Sequence, residues 1–176
     1  KAKELLTKAG YPNGFTATLI YPSLDPVRTD VAIQVQSNLA DIGITVNLEG
    51  QDWGTITESL TGYDYDFIVY GWCADYQDPD TFIWPKMHSS SIPRPNYEHF
   101  SNATFDALIE EARATPDLAK RQELYWKIQE LANEEVVQVY LYYNIIMGVQ
   151  RKWVESFYLT PFYWNYYYTV YKTYPA

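Results

Sequence analysis

Apolar and polar residues alternate in short runs of this chain, and between those runs apolar residues recur every three or four positions. Phe15 to Tyr21 and Ile44 to Leu48 have the period of two expected of strands. Tyr65 to Tyr70 is nearly all apolar, which predicts a third strand, central in its sheet. Residues 2 to 9 read as a helix closed by Gly10, and Pro12-Asn13-Gly14 is a turn signal. From Val27 to about Asp41, Val31, Val35, Leu39 and Ile42 fall along one helical face, and Gly43 ends it. Trp53 to Leu60 predicts a short helix stopped near Gly62. The order β-α-β-α-β with short links predicts an α/β fold, a mostly parallel sheet flanked by helices.

Beyond residue 80 the pattern changes. Thr81 to Phe100 is irregular and holds Pro85, Pro93, Pro95 and a serine run at 89 to 91. Part of Pro79 to Lys86 suits one helical turn, and so long a loop inside a compact domain usually serves function. Ala103 to Arg113 sets Phe105, Leu108, Ile109 and Ala112 at helical spacing. Thr115-Pro-Asp offers an N-cap, a first-turn proline and an early acid for a helix running to about Asn133, which buries Leu124, Ile128 and Leu131. Val136 to Tyr143 and Ile145 to Val149 read as strands. Phe157 to Tyr174 is a Tyr-rich tail, partly extended, of the kind that expects a packing partner. There is no internal repeat.

The 176 residues suffice for one domain with a core, and 47% hydrophobic content marks it as globular. A net charge of -9 with scattered Lys and Arg argues against nucleic acid and anionic membrane surfaces. No apolar run approaches the roughly 20 residues that span a bilayer. Lys1-Ala-Lys-Glu-Leu-Leu reads as mid-helix without an initiating Met, so we expect a piece of a longer protein. A single cysteine, Cys73, excludes an intrachain disulfide and leaves the compartment open. Eighteen tyrosines and six tryptophans suit ligand clefts and interfaces, and equally a Tyr-rich core and rim.

The most informative stretch is Gly71 to Pro79, GWCADYQDP. It puts an indole, a thiol, a carboxylate and a phenol in the loop after the third strand, and carboxyl ends of strands are where open α/β sheets bind ligands. Asp75 between aromatics suits a ligand ammonium, with Trp53, Trp72 and Tyr76 as walls of a cleft. The same residues also suit a loop packed on its own aromatics, and Trp53 suits a helix-packing anchor. Asp75, Asp78 and Asp80 lie close together but lack the glycine and terminal Glu of an EF-hand loop. Cys73 has no neighbouring Cys or His, with His88 and His99 standing apart, so no metal or cofactor is expected and Cys73 reads as a small buried residue. No GxSxG, Walker or GxGxxG pattern is present, so we expect no enzyme. Paired carboxylates leave a secreted hydrolase domain as the alternative class.

At these residues the chain resembles the C-terminal lobe of solute-binding proteins of the oligopeptide, dipeptide and nickel ABC-importer family (family 5). The segments KAKELLTKAGYPNGF, NLADIGITVNLEGQDWGT, YDFIVYGWCADYQDPDTF and FSNATFDALIEEARATPDLAKRQELYWKIQELANEEVVQVYLYY carry the likeness, over about residues 1 to 155 in order. The resemblance implies one lobe of a periplasmic-binding-protein-like fold (type II, cluster C), with residues 1–151 as the ligand-binding lobe. It implies that 152–176 return to the other lobe, the N-terminal one missing here. It implies an extracytoplasmic protein that captures oligopeptides and delivers them to a membrane permease. It assigns Asp75 to the peptide ammonium, Trp53 to a side-chain pocket, and the backbone of Gly71, Trp72, Cys73 and Ala74 to pairing with an extended peptide. Leu60 and Val69 stand where peptide binders carry basic residues able to meet a peptide carboxylate. That departure keeps a sugar, an opine or a metal chelate open as the ligand.

Overall fold

The computed structural model describes residues 1–173 apart from Asn144, Pro161, Tyr163 and Trp164. The chain divides into two compact units, 1–71 and 72–176, each with a hydrophobic cluster of its own.

The first unit is helix α1 (Ala2–Lys8), strand β1 (Thr16–Pro22), helix α2 (Pro26–Ala40), strand β2 (Thr45–Gln51), helix α3 (Trp53–Gly62) and strand β3 (Phe67–Ile68). The sheet is parallel throughout, in the order β2-β1-β3. Leu19 and Ile20 point to opposite faces of β1 and are 2% and 3% exposed, so both faces of that strand are covered. β1 is therefore the central strand, and the expectation that the Tyr65–Tyr70 run is central is corrected. β3 lies beside β1 and pairs over only two residues, Leu19 with Phe67 and Ile20 with Ile68. One residue earlier the amide of Thr18 donates to the Asp66 carboxylate at 2.8 Å, so a side chain takes the place of a ladder bond.

Local chemistry starts the helices. Asp25 caps α2 by accepting from the Arg28 amide, with Pro26 at the first position. The core of this unit packs Ala32 of α2 against Leu19, Ile44, Val46 and Val69, with Val31, Val35, Leu39 and Ile42 at its margin. Gly14 is the glycine that the fold cannot replace. Its φ is +73°, and a Cβ there would lie 1.8 Å from the Gly43 carbonyl oxygen. The left-handed residue ending α3 is Tyr63 rather than a glycine.

The second unit is helical. It holds α4 (Asp80–Met87), a 3-10 turn (Ser89–Ser91), α5 (Ala103–Ala114) and α6 (Leu118–Glu134). Ile83 and Met87, Phe105, Ile109 and Ala112, and Leu124, Tyr125, Ile128 and Ala132 form its core. Leu108 and Leu131 pack partly buried at the edge. The irregular 81–100 region is thus most of α4, a 3-10 turn and a pinned chain. Asn96, fully buried, donates to the carbonyls of His88 and Phe100 and accepts from the Phe100 amide. The cap of α6 is Asp117, which accepts from the Lys120 amide, and not Thr115. Thr115 follows α5, and its hydroxyl donates back to the Glu111 carbonyl.

The strands expected at Val136–Tyr143 and Ile145–Val149 are absent among the described residues, and from Val139 to Gln150 the described residues are exposed. A strand needs a hydrogen-bonded neighbour, and β-rich composition alone supplies none. In the tail, β4 (Val154–Glu155) pairs antiparallel with β5 (Tyr171–Lys172), and the rest of the described tail is irregular. The parts of that tail at Pro161, Tyr163, Trp164 and Tyr174 lie outside the described residues. No helix among the described residues is long and apolar enough to cross a membrane.

Candidate ligand-binding site

Trp53 and Gly71 belong to the first unit, and Trp72, Cys73, Ala74, Asp75 and Tyr76 to the second. In the first unit, α3 begins two residues after β2, so Trp53 sits at the carboxyl edge of the parallel sheet. Asp52 fixes that helix start. Its carboxylate accepts from the Gly54 and Thr55 amides and the Thr55 hydroxyl. The hydroxyl above all, then the two amides, hold the Asp52 carboxyl below its usual range. The Trp53 indole is half exposed and lies nearly parallel to the Tyr70 ring, with centroids 6.2 Å apart and planes 8° from parallel. It is a stacked, open-faced aromatic rather than a buried packing anchor.

Gly71 is exposed, and a Cβ there would meet an Arg28 guanidinium nitrogen at 3.1 Å. Arg28 is ion-paired with Asp25 at 3.3 Å, and its side chain is 29% exposed. The sheet's carboxyl edge therefore carries an Arg28–Asp25 ion pair beside a glycine backbone. Leu60 and Val69 are both buried, 1% and 4% exposed, and belong to the packing of this unit.

In the second unit the loop hangs on α4. Asp75 is exposed, and its backbone N–H donates to the Thr81 hydroxyl at 3.0 Å. The Trp72 indole N–H donates to the Thr81 carbonyl at 2.8 Å. That carbonyl is available because Pro85, four residues on inside α4, has no N–H to give it. Trp72 is half-buried, with the Lys86 ammonium 6.0 Å from its ring. Lys86 is 3% exposed and bonds the Glu98 carboxylate and the Pro95 carbonyl. Burial is the main influence on it and lowers its pKa.

The far end of the loop is anchored by charge. Arg121 of α6 grips both oxygens of Asp78 at 2.5 and 2.7 Å. That bidentate bond is the main reason the Asp78 carboxyl lies below its usual range. Tyr76 donates its hydroxyl to Asp80 at 2.7 Å, and this bond first, then burial, pushes the phenol up to about 12. Asp78 and Asp80 are thus committed to Arg121 and Tyr76, and Asp75 is the carboxylate left facing solvent. Among the described residues no group of three or more His, Cys, Asp and Glu is placed to hold a metal ion.

Cys73 is exposed, which corrects its reading as a buried residue. The loop leaves the sheet before residue 73, so no core receives the thiol. Thr81, Arg121, Arg28 and Tyr70 were missed by reading the chain alone. Pro85 was the available signal for Thr81, since a proline inside a helix frees the carbonyl four residues before it. Nothing in the sequence marks Arg121 as the partner of Asp78, 43 positions away.

The fold and loop define an α/β solute-binding architecture, and comparison with known proteins carries that further. Residues 1–93, more than half of the chain, match "Bacterial extracellular solute-binding proteins, family 5 Middle", and the chain belongs to that family. Its members are solute-binding proteins rather than enzymes. The chain is 30% identical to Di/tripeptide-binding protein 1 of Pseudomonas aeruginosa, across 97% of this chain and 32% of that protein. It is 31% identical to the periplasmic oligopeptide-binding protein OppA of Salmonella typhimurium, across 89% of this chain and 29% of that protein. The crystal structure of a dipeptide binding protein from Pseudoalteromonas sp. SM9913 in complex with Met-Leu superposes with a TM-score of 0.81 at 29% identity. It covers 97% of this chain and 35% of that one. The chain spans about a third of the length of the curated relatives it matches.

Proposed function

We propose that this chain forms the ligand-binding lobe of an ABC importer's solute-binding protein, and that its ligands are peptides. Residues 1–151 make the lobe and 152–176 return to the remainder of the protein, which works outside the cytoplasm and delivers its cargo to a membrane permease. Asp75 carries the reading. It is an exposed carboxylate on a loop whose neighbouring acids are already paired, so it is free to receive a peptide ammonium. The open face of Trp53 serves ligand side chains, and the backbone of Gly71 to Ala74 serves an extended peptide main chain. Peptide-binding relatives matched over nearly the whole chain support this assignment.

A charge-assisted bond of this kind contributes about 1.5–3 kcal/mol. Asp75→Ala in the full-length protein should therefore weaken peptide binding by about one to two decades. Titration calorimetry with di- to pentapeptides measures it, and unchanged affinity removes Asp75 from the site. Native mass spectrometry of the protein purified from its own cells tests the ligand class. A ladder of peptide masses supports the proposal, and a single small non-peptide mass replaces the ligand while leaving the family untouched.

A further inference from the structure

Thr81 grips the ligand loop at three points. It lies in the first turn of α4 and is 1% exposed. Its hydroxyl accepts the Asp75 amide at 3.0 Å, its carbonyl accepts the Trp72 indole at 2.8 Å, and its own amide donates to the Asp78 carbonyl at 3.3 Å. The span from Trp72 to Asp78 has no strand or helix of its own, so it has no ladder to fix its backbone. A buried threonine supplies much of that restraint at Trp72 and Asp75, beside the Asp78 amide bond to the Tyr76 carbonyl. Pro85 leaves the Thr81 carbonyl without its helical donor, and Arg121 on Asp78 secures the loop where it runs into α4. A carboxylate aimed at an ammonium loses most of its selectivity when its backbone drifts by an ångström.

We propose that Thr81 is the positioning residue for amino-group recognition: its buried hydroxyl holds the Asp75 backbone so that the carboxylate favours peptides with a free α-ammonium. This rests on the assignment of Asp75 above. Thr81 does not touch the ligand in this account and acts through Asp75.

The readout is a selectivity ratio: the affinity for a free peptide divided by that for its N-acetylated form, in the full-length protein. The probes are Met-Leu and Ala-Ala-Ala, each with a free and an acetylated amino group. Thr81→Val keeps the branched shape and removes the acceptor, and should lower the ratio roughly three- to tenfold, the value of one hydrogen bond. Thr81→Ser keeps the acceptor and should retain the wild-type ratio. A general loss of stability would weaken both forms alike and leave the ratio unchanged. If Asp75→Asn collapses the ratio while Thr81→Val does not, the role of Thr81 is overturned and that of Asp75 stands. If Asp75→Asn leaves the ratio unchanged, or the wild type binds neither probe, both fall. Should Thr81→Val fail to fold, amide hydrogen exchange of the wild type decides the matter. A protected Asp75 N–H supports the proposal, and one exchanging as fast as an open loop overturns it.

Discussion

Two irregular stretches of the second unit carry exposed aromatic side chains, and they are held in opposite ways. The loop from Trp72 to Pro79 has no regular structure, yet the Trp72 indole, the Asp75 amide and the Asp78 carboxylate each have a named partner on α4 or α6. Those helices in turn stand on the Phe105–Ile128 core. The stretch from Val139 to Gln150 is richer in apolar residues, but no such partners on α4 or α6 hold its described residues; Gln150 at its end donates to the Val154 carbonyl. Gln138 and Val137 tie its beginning to Glu98 and the core. Beyond them Tyr143 is 99% exposed, Ile145 88% and Val149 98%. Order outside secondary structure thus comes from satisfied polar groups resting on a core, and hydrophobic content without a neighbour does not create it.

The most damaging change should be to the foundation of the ordered loop. Phe105→Ala should cost about 3–5 kcal/mol in a denaturant titration, because its fully buried ring leaves a cavity under all three helices. A cost below about 1 kcal/mol would show that the core relaxes and that the loop stands on something else. Arg121→Gln comes next, at about 1–3 kcal/mol, because it leaves Asp78 without its cation. It also carries a pH signature. The Asp78 carboxyl sits below its ordinary value of 3.8 in the folded protein. Its contribution to stability is therefore present above pH 3.8 and is lost as the pH falls from there through the folded-state value. Acid unfolding of the wild type should steepen below pH 3.8, and the Arg121→Gln variant should lack that increment. Equal acid profiles would remove the ion pair from the account of the loop. The smallest effect belongs to the other stretch. Tyr143→Ser should move stability by no more than about 0.5 kcal/mol, and the amides of Val139 to Tyr143 and of Ile145 to Gln150 should exchange rapidly. Slow exchange there would erase the contrast.

The elements up to Ile68 were legible because each brought its own local evidence. Gly10, Gly43 and Gly62 mark helix ends, and the period changes between them, whereas the Asp25 and Asp52 caps emerged only with the structure. The position of the third strand was misjudged because an apolar run reports burial and not neighbours. Leu19 and Ile20, covered on both sides, mark β1 as the middle strand only once pairing is known. The same reason defeats the strands expected from Val136 to Val149, since alternation states a demand for a partner that sequence cannot supply. The loop GWCADYQDP was legible as a candidate site from its chemistry and its place after a strand. The division of labour inside it was not. Asp75, Asp78 and Asp80 look alike in sequence, and only the reach of Arg121 and Tyr76 separates the free acid from the two that are paired. Cys73 was misplaced for a related cause: a small residue beside a strand is buried only if the backbone stays in the sheet.

The stacked pair at the edge of the first unit gives the protein a built-in optical gauge. Trp53 presents one indole face to Tyr70 and is 51% exposed to water. Tryptophan emission shifts in colour and intensity with the water and rings around it, so any group laid on the open face, or any opening of the stack, changes the fluorescence at this position. Were a ligand to settle on that face, its arrival would be followed in real time without a label, and a Trp53→Phe variant, silent at that site, would separate its signal from that of the other tryptophans.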